Sequence, residues 1–194
     1  MKGFKIYKDT SGVIPEKYPL MPNNGEKCET INTFLSAFYN EKEIVFTFEC
    51  CHSVPLFMPY SRYNDPVWRG EATEVFISPG ADNVDYFEFD SAPNGASYNA
   101  GIHNLGYPQV YVLPLDNCPV RYITNISDGY YTTEVHIPFS FITEHFTCPG
   151  DIPWLFNAYR INRDKNGNGT LYAFSPTYTA SFHTPSHFAC LEFM

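Results

Sequence analysis

The sequence predicts an all-β chain: a two-sheet antiparallel β-sandwich of immunoglobulin or jelly-roll type, with long loops and at most one or two short helices. Three observations predict it. Aromatic residues are 18% of the 194 residues, with 15 Tyr and 17 Phe, and such side chains favour pleated, half-buried surfaces. The 16 Pro and 12 Gly supply frequent turns. Short runs that alternate apolar and polar residues recur along the chain with turn signals between them. The length fits one domain, residues 1–194, with a full core.

Residues 1–27 read as an irregular N-terminal arm, punctuated by Pro15, Pro19, Pro22 and Asn23-Asn24-Gly25. Thr30, Ile31, Phe34, Leu35 and Phe38 have the spacing of a helix face, but the Asn40–Glu43 turn and the run Ile44–Cys50 make a hairpin the better reading. A long connection, residues 52–72, carries Pro55, Pro59 and Pro66, and loops of this length tend to be functional. Strands are predicted at Thr73–Ile77, Tyr86–Phe89 and Val110–Val112. Arg121–Ile126 and Tyr131–Ile137 pair across Asp128-Gly129, the strongest hairpin signal present. Pro138–Ile142 suits a short helix with Pro at its start. Leu155–Ile161, Leu171–Phe174 and Phe188–Phe193 complete the set.

A net charge of −9 and a pI near 5.0 repel a phosphate backbone, so nucleic acid and anionic membrane surfaces are set aside as partners. No run approaches the ~18 apolar residues of a membrane span. The start, Met1–Asp9, has lysines but no apolar h-region, which predicts a cytoplasmic protein, or an extracellular one if the chain is trimmed. Six cysteines form neither C-x-x-C nor zinc spacing, and without a visible leader they read as thiols rather than disulfides.

The run Asp65–Ile77 is the most informative stretch. An Asp-Pro turn leads to Trp68 on a loop, and six positions later Glu74 enters a β-branched strand. An aromatic plate beside a strand-anchored acceptor suits a neutral, hydroxyl-rich ligand: the ring covers C–H faces while the carboxylate accepts from hydroxyls. Alternation puts Glu74 and Phe76 on one face, and Thr73, Val75 and Ile77 on the other. A carboxylate on an inward face needs a partner, and Arg160 is the natural one. Glu88 shares a face with Tyr86 and Asp90, opposite Phe87 and Phe89.

Glu74 and Glu88, on neighbouring strands, could also be a glycosidase pair, given suitable separation across a cleft. Asp164, Asn166 and Asn168, with Gly169, match the first half of a calcium loop, although the twelfth position is Ser175 rather than Glu. An Asn-Gly-rich hairpin loop explains the same residues. The six histidines lack H-E-x-x-H spacing, and Pro185 keeps His183 and His187 off a shared helical face. No G-x-S-x-G elbow, dinucleotide fingerprint or P-loop is present.

Five segments in order give the chain a resemblance to the family 9 carbohydrate-binding modules and their relatives. They are Trp68-x5-Glu74-Val75-Phe76-Ile77, Tyr86-Phe87-Glu88-Phe89 with Pro93-Asn94-Gly95, Glu134–Phe139, Trp154–Arg160, and Phe174-Ser175-Pro176 followed by Phe182-His183-x-Pro185-x-x-Phe188. The resemblance implies a sandwich that holds a mono- or oligosaccharide between two aromatics, with polar sheet residues on its hydroxyls. It places Trp68 as the first aromatic and Glu74 as a sheet carboxylate. The second aromatic, usually Trp, is matched by Phe174, with Tyr178 and Phe182 near it. Glu88 stands where the family commonly offers a basic residue.

The implied site is therefore Trp68, Glu74, Glu88, Asn157, Arg160, Phe174 and Tyr178, and the implied function is non-catalytic carbohydrate binding linked to glycan use. Structural calcium is the one cofactor this resemblance suggests. Two alternatives are a small glycan hydrolase using Glu74 or Glu88, and a haem electron-transfer domain with Met58 and His183 as axial ligands, since a related sandwich family binds haem through Met and His.

Overall fold

The computed structural model describes residues 2–9, 14–27, 30, 32–52, 55–80, 83–147 and 153–194. Cys28 and Cys148 lie outside them. Cys50, Cys51 and Cys118 are free thiols.

In chain order, Phe4 and Ile6 alternate inward from β1 (Gly3–Lys8), and short pieces β2 (Tyr18–Pro19) and β3 (Met21–Pro22) follow. The hairpin β4 (Thr33–Tyr39) and β5 (Glu43–Cys51) turns where the Asn40 side chain accepts from the Lys42 and Glu43 amides. Beyond the long loop come β6 (Ala72–Ser78), β7 (Asp85–Ser91), β8 (Ser97–Asn104) and β9 (Val110–Pro114). Gly129, at φ 70°, closes the tight turn between β10 (Arg121–Ser127) and β11 (Tyr130–Pro138). Helix α1 (Phe139–His145) then leads to β12 (Trp154–Arg163), β13 (Gly169–Ala173) and β14 (Ala189–Phe193).

One sheet has the order β10-β11-β5-β4 and ends on Tyr7–Lys8 of β1; the other runs from Gly3–Ile6 of β1 through β14-β12-β6-β7-β8-β9. Strand β1 thus passes from one sheet to the other, parallel to β14 and then to β4. Pairing is otherwise antiparallel along this path, and the expected sandwich is the observed architecture.

The reading of residues 1–27 as an irregular arm needs correction. Residues 3–8 are a central strand, because Phe4 and Ile6 fully bury their side chains between the sheets. Even the Pro-rich part is fastened, with β2 pairing β4 and β3 pairing β13.

The space between the sheets is filled by aromatics, including Phe4, Phe46, Phe89, Phe156 and Phe174. Phe156 stacks on Phe46 at 5.8 Å and on Phe174 at 5.4 Å between ring centroids. Phe174, expected to face a sugar, is fully buried here, which removes it from any ligand surface. The outer face of the second sheet carries a separate cluster, with Phe76, Tyr86, Tyr159, Phe182 and Phe188 among its members.

Arg160 also points into the sandwich and is 0% exposed. Its Nε donates to Glu71 Oε1 at 2.7 Å, and Nη1 donates to Thr33 Oγ1 at 2.8 Å and the Cys51 carbonyl at 3.0 Å. Tyr131 Oη donates to the same Glu71 oxygen at 2.7 Å, and its ring lies 5.3 Å from the guanidinium. The expected Glu74–Arg160 pair is therefore corrected to Glu71–Arg160. Strand alternation is the reason: Arg160 shares a face with Phe156 and Ala158, whereas Glu74 is on the far side of the sheet.

Breaking one half of this buried pair strands the other charge. Glu71→Ala is expected to cost about 3–5 kcal/mol in urea unfolding. The double replacement Glu71→Leu with Arg160→Met should cost less than the sum of the single changes, because no orphan charge is left.

Candidate functional site

The loop before β6 places Trp68 on a single 3-10 turn, Val67–Arg69. Its position depends on Gly70: a Cβ there would stand 2.5 Å from the Phe57 carbonyl oxygen and 2.7 Å from Pro59 Cδ. The bare backbone lets the Phe57–Pro59 stretch lie against the turn, where the Glu71 amide donates to that same carbonyl at 2.8 Å. The indole is half-buried and meets Tyr98 edge-on, with centroids 4.5 Å apart at 70°.

A cavity of about 400 Å³ opens between this indole and the segment Ala180–His183. Glu74, Glu88, Phe76 and Tyr98 project into it from three adjacent strands, as alternation predicted for Glu74, Phe76 and Glu88. Phe182 forms part of the opposite wall and is stacked on Tyr159 at 4.0 Å and 12°. Hydrogen bonds hold that wall on the sheet: Tyr159 Oη donates to the Phe182 carbonyl at 3.1 Å, and Asn104 Nδ2 donates to the His183 carbonyl at 3.1 Å. Arg163 completes the rim, with Nη1 donating to the Trp68 carbonyl at 3.5 Å.

The sheet side of the cavity is acidic. Glu74 is 2% exposed, Glu88 6% and Asp90 0%, and one oxygen from each lies within 4.8 Å of the others. Register explains this, since Glu74 is directly opposite Asp90 across β6 and β7. Burial and then the Glu88 charge push the Glu74 carboxyl well above its ordinary range, with Arg163 pulling the other way. Burial, then Glu74 and Glu88, do the same to Asp90. Burial also pushes Glu88 up to about 7, against a weaker pull from Asp90. His183, beside Glu88, is lowered to about 4 by burial and stays neutral at pH 7.

Of the residues expected to bind ligand, the structure brings Trp68, Glu74 and Glu88 together. Asn157 is fully buried beneath the surface, holding the Ser175 backbone through its amide and carbonyl at 2.7 and 3.0 Å. Arg160 and Phe174 belong to the interior. Tyr178 is 65% exposed, but it borders a neighbouring groove beside His187 rather than this cavity.

Asp90, Tyr98, Arg163 and Phe182 fill out the site; alternation puts Asp90 on the face of Glu88 and the Phe182-His183 segment marks Phe182, while Tyr98 and Arg163 carry no sequence signal. Met58 is not among the residues that line this cavity with His183. Asp164 accepts from the Asn166 and Asn168 amides at 2.8 and 3.0 Å and from Asn168 Nδ2 at 3.2 Å, the bonding of an Asx-type hairpin loop.

The raised Glu88 value has a testable consequence. Its carboxyl titrates near 4.5 unfolded and about 7 folded, so between those values the folded state holds more protons. Stability should fall as pH rises from about 4.5 to 7, read as melting temperature in chelator-containing buffer. Glu88→Gln should flatten that slope.

No known protein-family profile matches the chain. It is 28% identical over 197 residues, 93% of its own length and 82% of the relative's, to a protein of Arthroderma benhamiae named "Extracellular protein". Among solved structures it superposes on a candidate carbohydrate-binding protein from Bacteroides uniformis with a TM-score of 0.79 at 18% identity, covering 100% of this chain and 99% of that one. A family 9 carbohydrate-binding module from Caldicellulosiruptor kristjanssonii, in complex with glucose, gives a TM-score of 0.71 at 13% identity, covering 100% and 96%. A module of the same family and organism in complex with cellotriose gives 0.65 at 11%, covering 99% and 93%. The chain has the fold of the family 9 carbohydrate-binding modules.

Proposed function

We propose that this chain is a non-catalytic carbohydrate-binding protein whose site is the cavity between Trp68 and Phe182. The observation that carries the reading is the half-buried indole standing beside acceptors fixed on rigid strands. Trp68 and Tyr98 offer apolar surface to the C–H face of a mono- or oligosaccharide, and Phe182 supplies the opposing wall. Glu74 and Glu88 accept from hydroxyls, and Arg163 donates. The sugar complexes of the two structural neighbours support the same ligand class. The name of the Arthroderma relative favours an extracellular setting, rather than the cytoplasmic one suggested by the N-terminal residues. A link to glycan use, as a partner of glycan-degrading enzymes, belongs to this same reading.

Binding is favoured over hydrolysis by the placement of the acids. Glu74 and Glu88 rise from adjacent strands of one sheet and meet a sugar from the same side. Glycosidase carboxyls instead flank the scissile bond.

Isothermal titration with glucose and cello-oligosaccharides tests the proposal. Trp68→Ala is expected to lose about 2 kcal/mol or more, roughly 30-fold in affinity, as a central aromatic anchor does. Tyr178→Ala should bind as the parent does. Equal affinity of the Trp68 variant and the parent would remove the indole from the site.

A further inference from the structure

We propose that Glu74, Glu88 and Asp90 together hold one calcium ion at the base of the cavity, and that this ion takes hydroxyl oxygens of the bound sugar into its coordination shell. The second half rests on the carbohydrate reading; the cation site itself does not.

Glu74 and Glu88 line the cavity, and Asp90 reaches the pair from behind, fully buried. No N–H or hydroxyl group donates to either carboxylate oxygen of Asp90, which meets the Glu88 carboxyl instead, a costly state for an ionised acid in the interior of a sheet face. Those oxygens are presented to the other two acids instead: one ligand atom from each of the three lies within 4.8 Å of the rest. Calcium–oxygen bonds are about 2.3–2.6 Å, so two ligands of one ion stand at most about 5 Å apart. The spacing of the trio is compatible with one shared ion.

Charge selects a divalent ion. Metal binding displaces the protons that these crowded carboxyls otherwise hold, and since Arg163 on the rim offsets Glu74, a charge of +2 meets the other two. Size selects a bare ion over an organic cation. Asp90 does not line the open cavity, so an ammonium carried on a sugar ring meets Glu74 and Glu88 but not Asp90.

The donor set selects a hard metal. His183 Nε2 is 3.8 Å from Glu88, but Nδ1 is 2.9 Å from Tyr86 Oη, which already accepts from Asn104 Nδ2 at 3.0 Å. Nδ1 is thus engaged with Tyr86 Oη, and among the described residues no histidine nitrogen joins the group formed by the three acids. That leaves an all-oxygen set, which suits calcium rather than a softer metal. Calcium takes six to eight oxygens, about three to six from these carboxyls, and the rest face the cavity. Vicinal sugar hydroxyls or water fill those positions.

The test uses the full chain stripped of metal by chelation. Calcium chloride, with magnesium chloride in parallel, is titrated calorimetrically in the absence of sugar, and melting temperature is followed. One calcium per chain is expected, with a rise in melting temperature and weaker binding of magnesium. Asp90→Asn should weaken calcium at least 10-fold; if that variant fails to fold, Glu88→Gln at the cavity wall makes the same comparison.

Sugar affinity, measured with calcium and then with chelator, should fall at least 10-fold on chelation. Absence of calcium binding, or undiminished binding in both variants, overturns the site, while sugar binding that survives chelation leaves the carbohydrate reading in place. Calcium binding that Asp90→Asn abolishes, with no sugar bound in either buffer, upholds the ion site and defeats the carbohydrate reading.

Discussion

The buried pair Arg160–Glu71 is the constraint around which this sandwich is arranged. A guanidinium 0% exposed between two layers of aromatics is tolerable only where hydrogen bonds meet it from several sides. Glu71, Thr33 and Cys51 do so, while Tyr131 covers the guanidinium with its ring and donates to Glu71; Thr33, Cys51 and Tyr131 belong to the opposite sheet. The network therefore fixes how β12 sits over β4, β5 and β11, and with it the sheet that carries the cavity.

The outer face has two unlike parts. Trp68, Tyr98 and Phe182 give it apolar walls, while Glu74, Glu88 and Asp90 crowd negative charge on the strands between them. Like charges directly opposed across strands destabilise a sheet. A fold that keeps Glu74 opposite Asp90 gives up stability there, and such local conflicts gather at functional sites.

Much of this was legible in the sequence, because period-2 alternation reports faces directly. Glu74 with Phe76, and Glu88 with Tyr86 and Asp90, fall on the face that alternation assigned. What alternation does not report is which face is outside, or which acid meets which arginine. Glu71 precedes its strand by one residue, so the pattern gave it no side, and Glu74 looked like the partner. Phe174 and Tyr178 failed for a related reason: a run of aromatics after β13 does not reveal which ring turns inward. Strand β8 escaped because Ser97, Asn99, Gly101 and His103 give it little apolar signal, and Tyr98 was lost with it. The central strand β1 was hidden by its brevity beside a Pro-rich stretch.

The separation of the two apolar clusters has an evolutionary meaning. In β6, Val75 and Ile77 serve the interior while Glu74 and Phe76 serve the cavity, and β7 divides Phe87 and Phe89 from Tyr86 and Glu88 in the same manner. Odd and even positions thus answer to different physical demands. Ligand preference can drift through one set of codons while the other keeps the scaffold intact, so descendants of this chain can change what they recognise without first relearning how to fold.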